Sequence, residues 1–141
     1  MDRTCQLEAL ARAALNLLLL GRDPVLAALR RQASVSEWAA TPTGCGFRAE
    51  FHVLHGHPPL AGEPSFEVTD VYAELPGTEH IVNFALFVRS GRLAMLEGAT
   101  TDASWPEDLD GAFLLYNTRS GIRDLAVFMA SLRSAMRYPA T

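Results

Sequence analysis

Ile81-Val82-Asn83-Phe84-Ala85-Leu86-Phe87-Val88, then Arg89-Ser90-Gly91-Arg92, then Leu93-Ala94-Met95-Leu96-Glu97-Gly98-Ala99, is the stretch that decides the fold. Two apolar runs flank a short turn that contains a glycine, which is the signature of an antiparallel hairpin. Pairing Val88 with Leu93 places Val82, Phe84, Leu86, Val88, Leu93 and Met95 on one face. Ile81, Ala85, Phe87, Ala94 and Leu96 then lie on the other. Both faces are apolar, as in a central strand pair covered on two sides. Helices supply one cover, and a second subunit is the candidate for the other, which makes a homodimer one expectation.

Upstream, Phe47, Ala49, Phe51 and Val53 alternate with Arg48, Glu50 and His52, the period of a half-buried strand. Pro42-Thr43-Gly44 reads as a turn, so Val35 to Thr41 is the partner strand. Phe66 to Leu75 is a third strand whose apolar parity changes midway, and a one-residue bulge near Thr69-Asp70 reconciles the two halves. Phe113 to Tyr116 supplies an edge strand.

Helices flank the strands. Leu7, Leu10, Ala14, Leu17 and Leu18 recur at helical spacing, with Thr4 as the cap and Gly21 as the terminator. Asp23-Pro24 restarts a helix with an N-cap and a proline in its first turn. Val25, Leu26 and Leu29 form its inner side, and Arg30-Arg31 load its end. Ile122, Leu125, Met129, Leu132 and Met136 predict a closing helix capped by Ser120. The expectation is a single α+β domain over residues 1–141: N-terminal helices packed on a meandering antiparallel sheet, then a C-terminal helix. A cystatin-like layout is its specific form.

The composition limits the function. The chain has 141 residues, 49% hydrophobic, and its sixteen acids face twelve cations, a formal net charge of −4. All the cations are arginine. An acidic surface repels phosphate backbones, so nucleic acid is not an expected partner. The apolar N-terminal stretch ending at Leu17-Leu18-Leu19-Leu20 is broken by Glu8, Arg12 and Asn16. It falls short of the roughly 20 residues a membrane span needs, so a soluble, cytoplasmic protein is expected. Cys5 and Cys45 form no zinc or C-x-x-C spacing and read as free thiols.

Several residues could carry chemistry. His52, His55 and His57 lie close in sequence, but their parity and the lack of a further ligand argue against a metal. Gly44-Cys45-Gly46 could present a thiol on a turn, which needs a nearby base or cation to ionise. In the register above, Glu97 continues the face of Leu93 and Met95 and sits opposite Phe84, at the sheet rim or buried with a partner. Arg89 and Arg92 meet at the hairpin tip, where a solvated turn is the plain reading and the others are that each finds its own acid or that both face an anion. Asp102, Glu107, Asp108 and Asp110 surround Trp105, which suits a surface for a basic partner: an aromatic anchor with steering charges. Ser104-x-x-Glu107 there is also a capping box, so a purely structural loop is the other reading. No phosphate loop, nucleophile elbow, zinc-protease helix or dinucleotide fingerprint occurs, so no catalytic residue and no cofactor is assigned.

Thr43-Gly44-Cys45-Gly46-Phe47, and Ser90-Gly91-Arg92-Leu93 leading through Leu96-Glu97-Gly98 to Trp105-Pro106, resemble a group of small uncharacterised bacterial proteins. That group shares T-G-x-G-F and G-x-L-x-x-L-E…W-P signatures, and some members look like immunity partners of toxins. The resemblance covers about Ser34 to Pro106 and departs at Cys45, a slot for a small apolar residue. The resemblance adds that immunity association alone. Joined to the acidic stretch around Trp105, it makes the expected function a non-enzymatic interaction module of immunity or inhibitor type, using Trp105, Asp102, Glu107, Asp108 and Glu97 against a basic protein. The alternative is a small-ligand or enzymatic pocket between helices and sheet, lined by His55, His57, Cys45 and Glu97.

Overall fold

The computed structural model describes residues 3–75, 80–100, 109 and 111–137. Helices α1 (Arg3–Leu18) and α2 (Pro24–Ser34) precede the strands, and α3 (Leu125–Arg137) follows them. The strands are β1 (Ser36–Glu37), β2 (Ala40–Pro42), β3 (Gly46–Glu50), β4 (His52–Val53), β5 (Phe66–Val68), β6 (Val71–Glu74), β7 (Ile81–Arg89), β8 (Arg92–Thr100) and β9 (Phe113–Tyr116). The main sheet runs β2-β3-β8-β7-β6-β9 and every pairing is antiparallel, with β5 also on β7. The α+β class read from the sequence is the class observed.

The expected partner strand before Pro42 is split. Ser36–Glu37 pairs with His52–Val53 in a separate ribbon, while Ala40–Pro42 pairs with Phe47–Ala49 in the main sheet. The bulge expected near Thr69-Asp70 is present. β5 and β6 lie end to end along β7, and the register slips by one residue between them. Phe66 and Val68 before the slip, and Val71 and Ala73 after it, all stay buried.

The hairpin itself departs from the expected register. Val88 does pair with Leu93, across a turn with Ser90 at φ +49° and Gly91 at φ +76°. Both central residues left-handed is the hairpin turn whose twist matches the strands. A bulge then shifts the register between Phe87 and Val88, so Phe87 faces Met95, Leu86 faces Leu96 and Phe84 faces Gly98. One inserted residue swaps the faces of everything beyond it. Leu96 is therefore buried and Met95 is turned out, the reverse of the expectation.

The inward face carries Phe47, Ala49, Val82, Phe84, Leu86 and Leu96, all at most 1% exposed. Gly98 is required in this layer. A Cβ there would come within 2.4 Å of the Phe47 ring, which packs in turn on Phe84 at 6.1 Å between centroids.

Helix α2 begins as the sequence requires, with Asp23 accepting a hydrogen bond from the Val25 amide at 2.9 Å. Its inner face includes a residue the apolar pattern passes over. Gln32, 1% exposed, donates to the Gly91 carbonyl and accepts from the Leu93 amide, each at 2.9 Å, which ties α2 to the hairpin tip. Gly91 also lets the Leu60 backbone approach, since a Cβ would lie 2.9 Å from the Leu60 nitrogen.

The helix ends also differ from expectation. Thr4 lies inside α1, and α1 stops at Leu18, before Gly21. The carbonyls at and just beyond its end are taken by arginines: Arg30 donates to Leu19 and Gly21, and Arg123 to Leu18 and Leu20. Asp124, not Ser120, caps α3 through the Val127 amide at 3.2 Å, and Ile122 is 70% exposed rather than inward.

Arg123 ties α1, β9 and α3 to the connection between β5 and β6. It makes a two-point bond to the Asp70 carboxylate at 2.8 and 3.0 Å, and its guanidinium lies 4.6 Å from the Tyr116 ring and 3.8 Å from Phe128. The Tyr116 hydroxyl donates to the Leu17 carbonyl. Burial raises the Tyr116 pKa above 10.0, with Arg123 pulling it down and Asp70 pushing it up.

Gly98→Ala is expected to cost about 1–3 kcal/mol of unfolding free energy, the scale for overpacking a filled core, measured by urea denaturation. Tyr116 gives a pH dependence of definite sign. Its folded pKa lies above the unfolded value, so its contribution is full below pH 10.0 and declines above that as the unfolded chain ionises first. Alkaline urea titrations of the wild type should show this fall, and Tyr116→Phe should show a smaller one.

Candidate functional site

The helices all lie on one side of the sheet. α1 contacts β2, β6, β7 and β8, α2 contacts β8, and α3 contacts β5. Their apolar residues and the inward side chains form a single cluster. The outward positions of the strands lack that burial: Arg48, Glu50, Ile81 and Asn83 are exposed, and Ala85, Phe87, Met95 and Glu97 are half-buried.

That uncovered face is built by the outward positions of the same strands. At its centre Met95 lies between Phe87 and Glu50, and all but Glu50 are half-buried. The next row holds Ala85, Glu97 and Arg48, and beyond it come Asn83 and Ala99. Ile81 and Phe113, 39% and 60% exposed, border it on either side of Glu74. Apolar positions thus occupy the middle, while Glu50, Glu67, Glu74 and Glu97 outnumber Arg48 and Arg89. Arg89 is 3.8 Å from Glu67, with both side chains half exposed, so that ion pair adds little to stability.

Glu97 is on this face because of the bulge in β8. It does not face Phe84, as the unbulged register predicts. It is half-buried and its cross-strand neighbours are Ala85 and Arg48. Asp102, Trp105, Glu107 and Asp108, with the Ser104 capping box, lie outside the described residues. The ends of their segment are placed. Thr100 finishes β8 and is buried, and Leu109, also buried, donates its amide to the Gln6 side chain of α1 at 3.0 Å.

The residues of the alternative pocket are not brought together. The Cys45 carbonyl accepts from the Thr100 amide, at one end of β8. His55 lines a cleft with Arg92 and Leu93, at the other end. Those ends are roughly 25 Å apart at strand rise. His57 borders a third place, a groove between α2 and the Pro58-Pro59 loop, and Glu97 is on the open face. His52 pairs across the small ribbon with Glu37, beside a cleft of about 740 Å³. No group of three His, Cys, Asp or Glu suited to a metal occurs among the described residues.

Two features escaped the sequence reading. Trp38, in the irregular step between β1 and β2, packs on Phe51 at 5.3 Å, and the Arg12 guanidinium lies 4.7 Å from its ring. Arg92 donates to the His57 carbonyl at 2.7 Å, a contact across thirty-five residues that no local pattern signals. Among the described residues, no helix is long and apolar enough to cross a membrane. No protein-family model matches this chain, and no curated protein or solved structure shows significant similarity to it.

Cys5 and Cys45 are exposed thiols that form no disulfide. Titration of the native protein with Ellman's reagent is expected to read both thiols in each chain, without denaturant. A reading near zero that rises after reduction would show a disulfide instead.

Proposed function

We propose that this chain is a non-enzymatic binding module, of immunity or inhibitor type, that holds a basic protein partner on the uncovered face of its sheet and the acidic loop around Trp105. The observation that supports it most is the composition of that face. Phe87 and Met95 stand half-buried at its centre, and acids outnumber arginines around them. Apolar anchors inside a charged border match the anatomy of protein interfaces, and the charge sets the sign of the partner. A second copy stacked face to face would bring like charges together, which favours a basic partner over a homodimer. A helix layer with one free sheet face, as in a cystatin-like layout, leaves that surface available.

The acidic segment around Trp105 follows β8, which ends at Thr100, one residue beyond the outward Ala99, so Asp102, Trp105, Glu107 and Asp108 are adjacent to the face in sequence. In this reading Trp105 is the anchor, Glu97 belongs to the face, and the loop acids steer the encounter. The scattered positions of His55, His57, Cys45 and Glu97 weigh against an enzymatic pocket shared by all four.

The test uses the full chain as bait in a lysate of its source cells. The wild type is expected to retain a basic protein near equal stoichiometry. Phe87→Asp should abolish capture without loss of fold by circular dichroism. Joint reversal of Asp102, Glu107 and Asp108 to Lys should weaken binding by about tenfold or more and flatten its salt dependence. Equal capture by both variants, or a complex containing only copies of this chain, would overturn the proposal.

A further inference from the structure

The two arginines of the hairpin tip have different surroundings. They are Cα partners, yet Arg89 turns to Glu67 whereas Arg92 runs the other way. Nη1 of Arg92 donates to the His57 carbonyl at 2.7 Å. Among the described residues, no carboxylate lies within 4.0 Å of it. A guanidinium stays charged at every accessible pH. Arg92 is half-buried, and a neutral carbonyl is its hydrogen-bonded partner, so a full positive charge is only partly compensated.

This charge borders a space. Arg92, His55 and Gly56 line a cleft of about 590 Å³ whose remaining walls are Phe51, Val53 and Leu93. The size falls within the range of small-molecule sites, and polar groups share the lining with apolar ones. Gly56, at φ +93°, has no atom within 4 Å of where a side chain would start, which leaves that rim open.

We propose that this cleft binds a small carboxylate-bearing ligand, the guanidinium of Arg92 taking the carboxylate beside the half-buried Val53. Anchoring of Nη1 on His57 fixes the guanidinium plane, so its remaining N–H groups can meet a carboxylate in the two-point geometry arginine favours. His55 supplies a further ring N–H at the rim. The site is separate from the acidic segment around Trp105, since Arg92 starts β8 and that segment follows its end. A free organic acid and the C-terminus of a peptide offer the same chemistry.

The experiment is a titration of the 15N-labelled full chain, followed by amide shifts. The probes are phenylacetate and the tripeptide Gly-Ala-Phe, each compared with its neutral amide. Shifts should concentrate at Val53, His55, Gly56, Arg92 and Leu93, and the acid should bind at least about tenfold more tightly than the amide. Whichever acid binds more tightly identifies the source. Arg92→Gln, which retains a donor for the His57 carbonyl, should weaken binding by a similar factor. Acid and amide binding alike, shifts elsewhere, or no binding by either acid would overturn the proposal. The acid-to-amide ratio on the wild type decides the matter even if the variant does not fold.

Discussion

The register of β7 against β8 is the constraint on which the rest of the structure depends. These two strands are the centre of the sheet, and the slip between Phe87 and Val88 decides which side chains of β8 enter the core. With the slip, Leu96 and Gly98 point inward, and Gly98 makes room for the Phe47 ring. Without it, Glu97 would be driven into an apolar layer against Phe84, where an unpartnered carboxylate is strongly disfavoured. The bulge therefore keeps the core apolar and sends Met95 and Glu97 to the opposite face. Core and candidate surface follow from one inserted residue.

Two polar side chains then hold the helix layer at opposite ends of this sheet. Gln32 bonds the hairpin tip to α2 through both ends of its amide, so each buried group is satisfied. Arg123 does the same where α1 ends, gathering the Leu18 and Leu20 carbonyls, the Asp70 carboxylate and two aromatic rings. Its side chain is only 6% exposed, and removing one partner of so buried an ion pair leaves a charge stranded. Helices so fixed on one side leave the other side of the sheet without a helix among the described residues, and that asymmetry is the physical basis of the functional reading.

Much of the fold was legible because its signals are local. The alternation from Phe47 to Phe51, the parity break at Thr69-Asp70, the Asp23-Pro24 helix start and the turn at Ser90-Gly91 each rest on the chemistry of a few adjacent residues. At helix ends the local pattern points to Ser120, Gly21 and Thr4, but several residues compete there for the same unsatisfied groups. There a distant arginine or a neighbouring Asp124 can win the contest.

The candidate sites were less legible, for a different reason. Sequence by itself determined the α+β class, the order of the elements, the central hairpin and the acidic, lysine-free composition, because period, turn chemistry and charge are written residue by residue. Only the tertiary structure decided that Glu97 faces Arg48, that Arg92 reaches His57, and that His55 and Cys45 stand at opposite ends of one strand. Those facts depend on a register shift and on contacts between segments far apart in the chain. Packing of the whole core sets both, and no local pattern contains it.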